Sequence, residues 1–172
     1  MGHFLYPDEY YSSTYAINFE KYYRKGYRAV LFDIDNTLVM HDAPANERST
    51  RFLRGLMDIG FKVCFVSNND EKRVADFNAA VGANYIYKAG KPKARGYREA
   101  MELLGTTADT TLFVGDQLFT DIWGANRAGI HSILVKIISK KEKPHIILKR
   151  VLEQPILKAY LKKHIMKSDY TS

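Results

Sequence analysis

The sequence predicts an α/β domain, a parallel sheet packed with helices. Three observations predict it. At 172 residues with 46% hydrophobic content, the chain has the length and the apolar material for one core. Short β-rich apolar runs alternate with helical patterns, which is the order of βαβ units. The runs end in small polar or acidic residues, and open α/β sheets carry their sites at the carboxyl ends of strands.

The elements follow in order. Residues 1–27 hold seven of the twelve tyrosines, at Tyr6, Tyr10, Tyr11, Tyr15, Tyr22, Tyr23 and Tyr27. Such side chains favour an apolar–polar boundary, and the segment is expected to pack over one edge of the domain. Pro7-Asp8-Glu9 places proline and two acids where a short helix opens. Residues 28–35 form the first strand, bounded by Gly26 and Asn36. It ends in two carboxylates two apart, Asp33 and Asp35. If the extended backbone continues, both point the same way and need a cation or a shared proton.

A helix opens at Ala45-Asn46-Glu47 and stops at Gly60. Lys62 to Ser67 is the second strand, followed by Asn68-Asn69. Asn69 or Asp70 caps the next helix, which Gly82 stops. Tyr85 to Tyr87 is a short third strand. Lys91-Pro92 is read as the start of a helix with its stripe on Tyr97, Ala100, Met101 and Leu104. Thr111 to Gly115 is the fourth strand, with Asp116 directly after it. A helix from about Leu118 to Ala128 leads to the fifth strand, His131 to Lys136. Beyond residue 139 the apolar stripe Ile147, Leu148, Val151, Leu152, Ile156, Leu157, Tyr160, Leu161, Ile165 interleaves with lysines and Arg150. Pro155 is expected to kink or split it, giving a pair of basic amphipathic helices.

Charge separates the chain into the same parts. The net charge is +7. Residues 1–139 are nearly balanced, with 17 Lys and Arg against 16 Asp and Glu, whereas residues 140–172 hold nine against three. A basic tail suits an acidic surface, either lipid headgroups or nucleic acid; a solvated helix face is the plainer reading. The single cysteine, Cys64, excludes an intrachain disulfide and a thiolate zinc cluster, and is expected to be a buried thiol in a reducing compartment. No basic region followed by an apolar stretch opens the chain, so no secretory leader is expected. No apolar run is long enough to span a bilayer. The five histidines show no ligand spacing.

Four strand-end features fall in order: Asp33-Ile34-Asp35-Asn36-Thr37, Ser67-Asn68-Asn69, Lys91-Pro92, and Gly115-Asp116 with Asp121. Each alone reads as a turn or a cap. A calcium loop fails because Leu38 stands where that pattern needs glycine. Together the four resemble the haloacid dehalogenase superfamily of phosphatases. The resemblance implies a three-layer Rossmann-like fold with a five-stranded, mainly parallel sheet. It also implies residues 28–139 as the phosphatase core, residues 1–27 packed on it, and residues 140–172 as a basic amphipathic helical tail.

The implied chemistry explains the residue types. Asp33 is the nucleophile of a two-step hydrolysis through an aspartyl-phosphate. Asp35 is the acid for the leaving group and then the base for water, with its pKa raised for the acid role. Mg²⁺ takes oxygen ligands from Asp33, Asp116 and the backbone carbonyl of Asp35, with Asp121 supporting the metal site or capping its helix. Ser67, Asn68 and Thr37 are the phosphate-binding groups. Lys91 neutralises nucleophile and phosphoryl group, and Lys88 is a second candidate for that part.

Substrate choice in this superfamily is set by inserted cap domains. One helix fills the interval from Asp35 to Ser67; one helix and one strand fill that from Ser67 to Lys91. Neither leaves room for a cap, so the site is expected to be open. A closer resemblance covers nearly the whole chain. Phe4 to Tyr10, Asp33 to Val39, Val66 to Asn69, Tyr87 to Pro92 and Gly115 to Asp121 are similar to the bacterial YqeG family, class IIIA, itself similar to mitochondrial and plant phosphatidylglycerophosphate phosphatases. Gly90 departs from its pattern, where a larger or basic residue is common. The resemblance implies a lipid-phosphate substrate, phosphatidylglycerophosphate giving phosphatidylglycerol. Independently of it, the basic amphipathic tail, residues 140–172, fits a cytoplasmic enzyme peripheral on the anionic inner face of a membrane. A phosphoprotein or a nucleic-acid end is the alternative substrate, and a non-catalytic RNA- or ribosome-binding protein is the alternative class. A receiver domain shares the strand-end Asp and Lys but not the Asp-x-Asp-Asn-Thr spacing.

Overall fold

The structure, a computed structural model, describes residues 3–168. Residues 169–172 of the expected tail lie outside it, as does the side chain of Ile165. Six strands form one sheet: β1 (Glu9–Tyr11), β2 (Ala29–Phe32), β3 (Lys62–Val66), β4 (Asn84–Ile86), β5 (Thr111–Gly115) and β6 (His131–Val135). Their order across the sheet is β1-β6-β5-β2-β3-β4, and every neighbouring pair is parallel. The helices are α1 (Phe19–Arg24), α2 (Glu47–Ile59), α3 (Glu71–Asn78), α4 (Arg95–Leu104), α5 (Trp123–Arg127) and α6 (Pro144–Ser168).

Period-two alternation divides the core into two layers. Val30, Phe32, Val63, Phe65, Leu112 and Val114 face α1, α2 and α3. Ala29, Leu31, Cys64, Val66 and Phe113 face α4 and α5. The local signals act where expected. Asn46 and Ser49 cap α2 reciprocally, Gly60 ends it at φ 118°, and the Asp70 carboxylate accepts from Arg73 N at 2.9 Å to start α3.

Four expectations are corrected. The sheet has six strands rather than five, because Glu9–Tyr11 is an edge strand and not a helix start. Its register is held by Asp8 N on Ser132 O (2.9 Å) and Ser132 N on the Asp8 carboxylate (2.8 Å). The tyrosines then have a polar task as well as a packing one: Tyr11 and Tyr22 both donate to Glu9, at 2.9 and 2.6 Å. Lys91-Pro92 lies in the loop before α4 rather than in its first turn. The helix expected from about Leu118 to Ala128 is present, but its first turn, Leu118–Ile122, is π-helical before it continues as α5. Finally, α6 is one helix that carries Pro155 inside it rather than a pair. Pro155 lies at an exposed position of the helix.

Candidate active site

The ends of β2, β3 and β5 and the loop before α4 converge on a cleft of about 230 Å³. Asp33, Asp35, Ser67, Asn68 and Lys91 line one part of it; Glu142, Lys143, His145, Ile146 and Lys149 line another.

Asp33 continues β2 by one residue, its N–H bonded to Val114 O at 3.0 Å. Its carboxylate accepts from Lys91 Nζ at 2.8 Å, and the same ammonium donates to Asp121 at 2.7 Å. The Lys91 side chain is 3% exposed. Burial pulls its pKa down, but Asp121 and Asp33 outweigh burial and keep it charged. Lys88, by contrast, is exposed and outside the cleft. Geometry therefore favours Lys91 of the two candidates.

Lys91 is held by Asn68. The Asn68 amide accepts from Lys91 N at 2.8 Å and donates to Lys91 O at 3.1 Å. Asn68 is thus engaged in positioning Lys91, and its side chain is already committed. Ser67 is buried at the end of β3, lines the cleft, and its hydroxyl oxygen accepts from Asn69 N at 3.1 Å. Thr37 is also buried and donates to Asp116 at 2.8 Å, so its hydroxyl serves the carboxylates.

Asp35 shares the cleft with Asp33 but not its partners. Its carboxylate accepts from Arg73 (2.8 Å), Asn69 (2.6 Å) and Asp42 N (2.9 Å). Burial pushes its pKa up, yet Arg73 and the other donors hold it below the usual carboxylate range. The expected raised pKa is corrected; Lys91 pairs with Asp33 and Arg73 with Asp35.

Asp116 follows β5, and Asp121 in the π-helical turn accepts from Asp116 N and Gln117 N, both at 3.1 Å. A Cβ on Gly115 would lie 2.6 Å from Asp121, so this turn admits only glycine there. Carboxylate oxygens of Asp33, Asp116 and Asp121 lie within 4.8 Å of one another, all buried. Burial raises Asp33 well above its ordinary pKa; Asp121 and Asp116 add to that against the pull of Lys91. Burial likewise raises Asp116, in spite of Arg150. Three buried carboxylates meet two cations here, an imbalance that a divalent ion with oxygen preference relieves. Asp121 is committed to Lys91 and two backbone amides, and Asp116 to Thr37 and Arg150, so an ion between Asp33 and Asp116 takes the place of Arg150 on the Asp116 carboxylate.

Four participants escaped the sequence reading. Arg150 of α6 donates to the Asp116 carboxylate and carbonyl, and to Glu142 at 2.7 and 3.0 Å. Glu142 accepts from Asn36 at 2.8 Å. Glu153 accepts from Phe119 N at 2.9 Å. Arg73 has been described. The basic periodicity of the tail announces charge but not that Arg150 turns inward. His41 and His145, assigned no part, also line the cleft.

Comparison with known proteins decides the family. The chain is 35% identical over 161 residues to Probable phosphatase YqeG of Bacillus subtilis (strain 168), covering 93% of this chain and 94% of that one. The chain belongs to the YqeG family of HAD-like phosphatases. The profile of the HAD-hydrolase-like family matches residues 88–152 of this YqeG-family phosphatase. A weaker likeness, 30% over 169 residues, is to phosphatidylglycerophosphate phosphatase 1, chloroplastic/mitochondrial, of Arabidopsis thaliana. It covers 90% of this chain, which spans about half (48%) of that relative's length. In fold, the YqeG-family chain is similar to a HAD phosphatase from Thermococcus onnurineus, with a TM-score of 0.56 at 15% identity over 68% of this chain and 90% of the other. No helix among the described residues is long and apolar enough to cross a membrane.

Proposed function

We propose that this phosphatase hydrolyses a lipid phosphomonoester through an aspartyl-phosphate on Asp33. The observation that carries the reading is the Asp33 carboxylate at the carboxyl end of β2, in a cleft, 2.8 Å from a buried lysine. An Asp33 oxygen attacks phosphorus, the P–O bond to the alcohol breaks, and the alkoxide takes a proton from Asp35. Water then attacks the aspartyl-phosphate, gives its proton to Asp35, and releases phosphate and Asp33. Lys91 compensates charge on Asp33 and on the phosphoryl oxygens. As placed here, Asp35 has the form that accepts a proton from water. Its acid role requires the Arg73 pair to open.

Asp33, Asp116 and the main-chain carbonyl of Asp35 would hold Mg²⁺, which would supply neutralisation of phosphoryl charge. Ser67 donates to a phosphoryl oxygen. Support for a lipid substrate is twofold: the name of the Arabidopsis relative and the basic segment at the cleft, with Lys143 and Lys149 on its lining.

The test is phosphate release from phosphatidylglycerophosphate, phosphopeptides and 5′- or 3′-phosphorylated oligonucleotides, with and without Mg²⁺. The lipid is expected to be turned over fastest, and Asp33→Asn to abolish release. Release that survives Asp33→Asn refutes the mechanism. A faster oligonucleotide or peptide reaction refutes the substrate.

A further inference from the structure

Helix α6 is built inside out. A surface helix normally buries its apolar stripe and exposes its charges. Here Arg150 and Glu153 turn inward to Asp116 and Phe119 N, while Ile147 (46% exposed), Leu148 (62%), Val151 (61%) and Leu152 (56%) turn outward. The second half of the helix is anchored conventionally: Ile156 and Leu157 pack on Leu118, Ile122 and Leu134, and Tyr160 is buried. The outward ridge is therefore rigidly presented rather than a frayed end. It also adjoins the cleft, because Ile146 and Lys149 on the same two turns line it.

The charge around the ridge has one sign. Lys140, Lys141, Lys143, Lys158 and Lys162 are all exposed. The carboxylates of residues 140–168 are Glu142 and Glu153, and both are turned in, with side chains 3% and 6% exposed. Two copies of this face would bring like charges together. An anionic, apolar-cored surface is its complement.

We infer that the ridge Ile147, Leu148, Val151 and Leu152, ringed by lysines, docks the enzyme on an anionic lipid surface with the cleft mouth beside it. The aliphatic side chains enter the headgroup–acyl boundary and the lysines meet lipid phosphates. This deepens the substrate reading above, and rests on that reading only for what docking is used for. Binding itself does not require catalysis.

The experiment is cosedimentation of the full chain with vesicles of phosphatidylcholine, with and without phosphatidylglycerol. Its companions are Leu148→Ser/Leu152→Ser, Asp33→Asn, and a vesicle-free assay on p-nitrophenyl phosphate. The full chain and Asp33→Asn are expected to bind phosphatidylglycerol vesicles, and phosphatidylcholine alone at least about tenfold more weakly. The double serine variant is expected to lose about tenfold or more in vesicle binding, while its hydrolysis of the soluble ester stays within about twofold of the parent. Failure of the folded parent to bind phosphatidylglycerol vesicles overturns the inference. So does undiminished binding by the double variant. A fall in oligomeric state on substitution, with vesicle binding unchanged, assigns the ridge to a protein partner and overturns it too. Vesicle binding by a chain that hydrolyses nothing would refute the catalytic reading and leave the docking standing.

Discussion

Replacing Arg150 with methionine tests how α6 is joined to the catalytic end of the sheet. The guanidinium is 14% exposed at the side chain and pairs with Asp116 (0%) and Glu142 (3%). Breaking a buried pair from one side leaves an uncompensated charge and costs ~3–5 kcal/mol. Partial exposure of Arg150 places the loss at the lower end, about 3 kcal/mol. For a chain of this length that is about 6–12 °C in melting temperature. The same substitution frees the Asp116 carboxylate for a divalent ion. If Arg150 and Mg²⁺ compete for it, the variant binds Mg²⁺ more tightly. A tenfold gain in affinity adds about 1.4 kcal/mol at saturating ion, about 3–6 °C beyond the parent's own rise. The assay is thermal unfolding of both proteins in chelator and in a Mg²⁺ series, paired with calorimetric titration. A metal-free loss below about 1 kcal/mol refutes the assignment of Arg150 as a buried partner. Equal Mg²⁺-induced rises in the two proteins refute the competition.

Two further outcomes follow from the same region. Gly115→Ala puts a methyl group 2.6 Å from the buried Asp121 side chain, so it should lower stability by about 1–3 kcal/mol and reduce turnover by displacing Asp121 from Lys91, read by unfolding and by phosphate release; an alanine variant with parental stability contradicts the packing. Burial pushes Glu153 up to about 7 from 4.5, against Phe119 N and Arg150, which lower it. The folded chain then keeps a proton that the unfolded chain has lost, so stability falls as pH rises from about 4.5 to 7, by at most ~3 kcal/mol. Glu153→Gln keeps an acceptor for Phe119 N and should become relatively more stable across that window; parallel pH curves for the two melting temperatures would exclude the assignment.

What local pattern revealed and what it withheld have different physical origins. The strand ends that carry Asp33 and Asp116 were legible because apolar runs, caps and glycine stops are local and agree with one another. Strand β1 was not. Three residues after Pro7 carry a helix-opening signature, and the pairing that overrides it comes from Ser132 and its neighbours, far along the chain. The low pKa of Asp35 was hidden likewise, since Arg73 arrives from α3. For α6, apolar spacing showed a stripe but not which of its residues face the domain. Periodicity defines a stripe, and only Asp116 and Glu142 decide that Arg150 takes the inward place. Pro155 was expected to kink or split the helix, and α6 runs through it unsplit.

The sheet order has a consequence for synthesis on the ribosome. β1 is translated first but pairs only with β6, which is translated last of the strands. Until residue 135 has emerged, the tyrosine-rich leading stretch has no edge to join. In the nascent chain Glu9–Tyr11 therefore stays without its sheet neighbour until β6 has been made, while Tyr15 and Phe19 already find Phe32, Phe52 and Phe61 nearer along the chain.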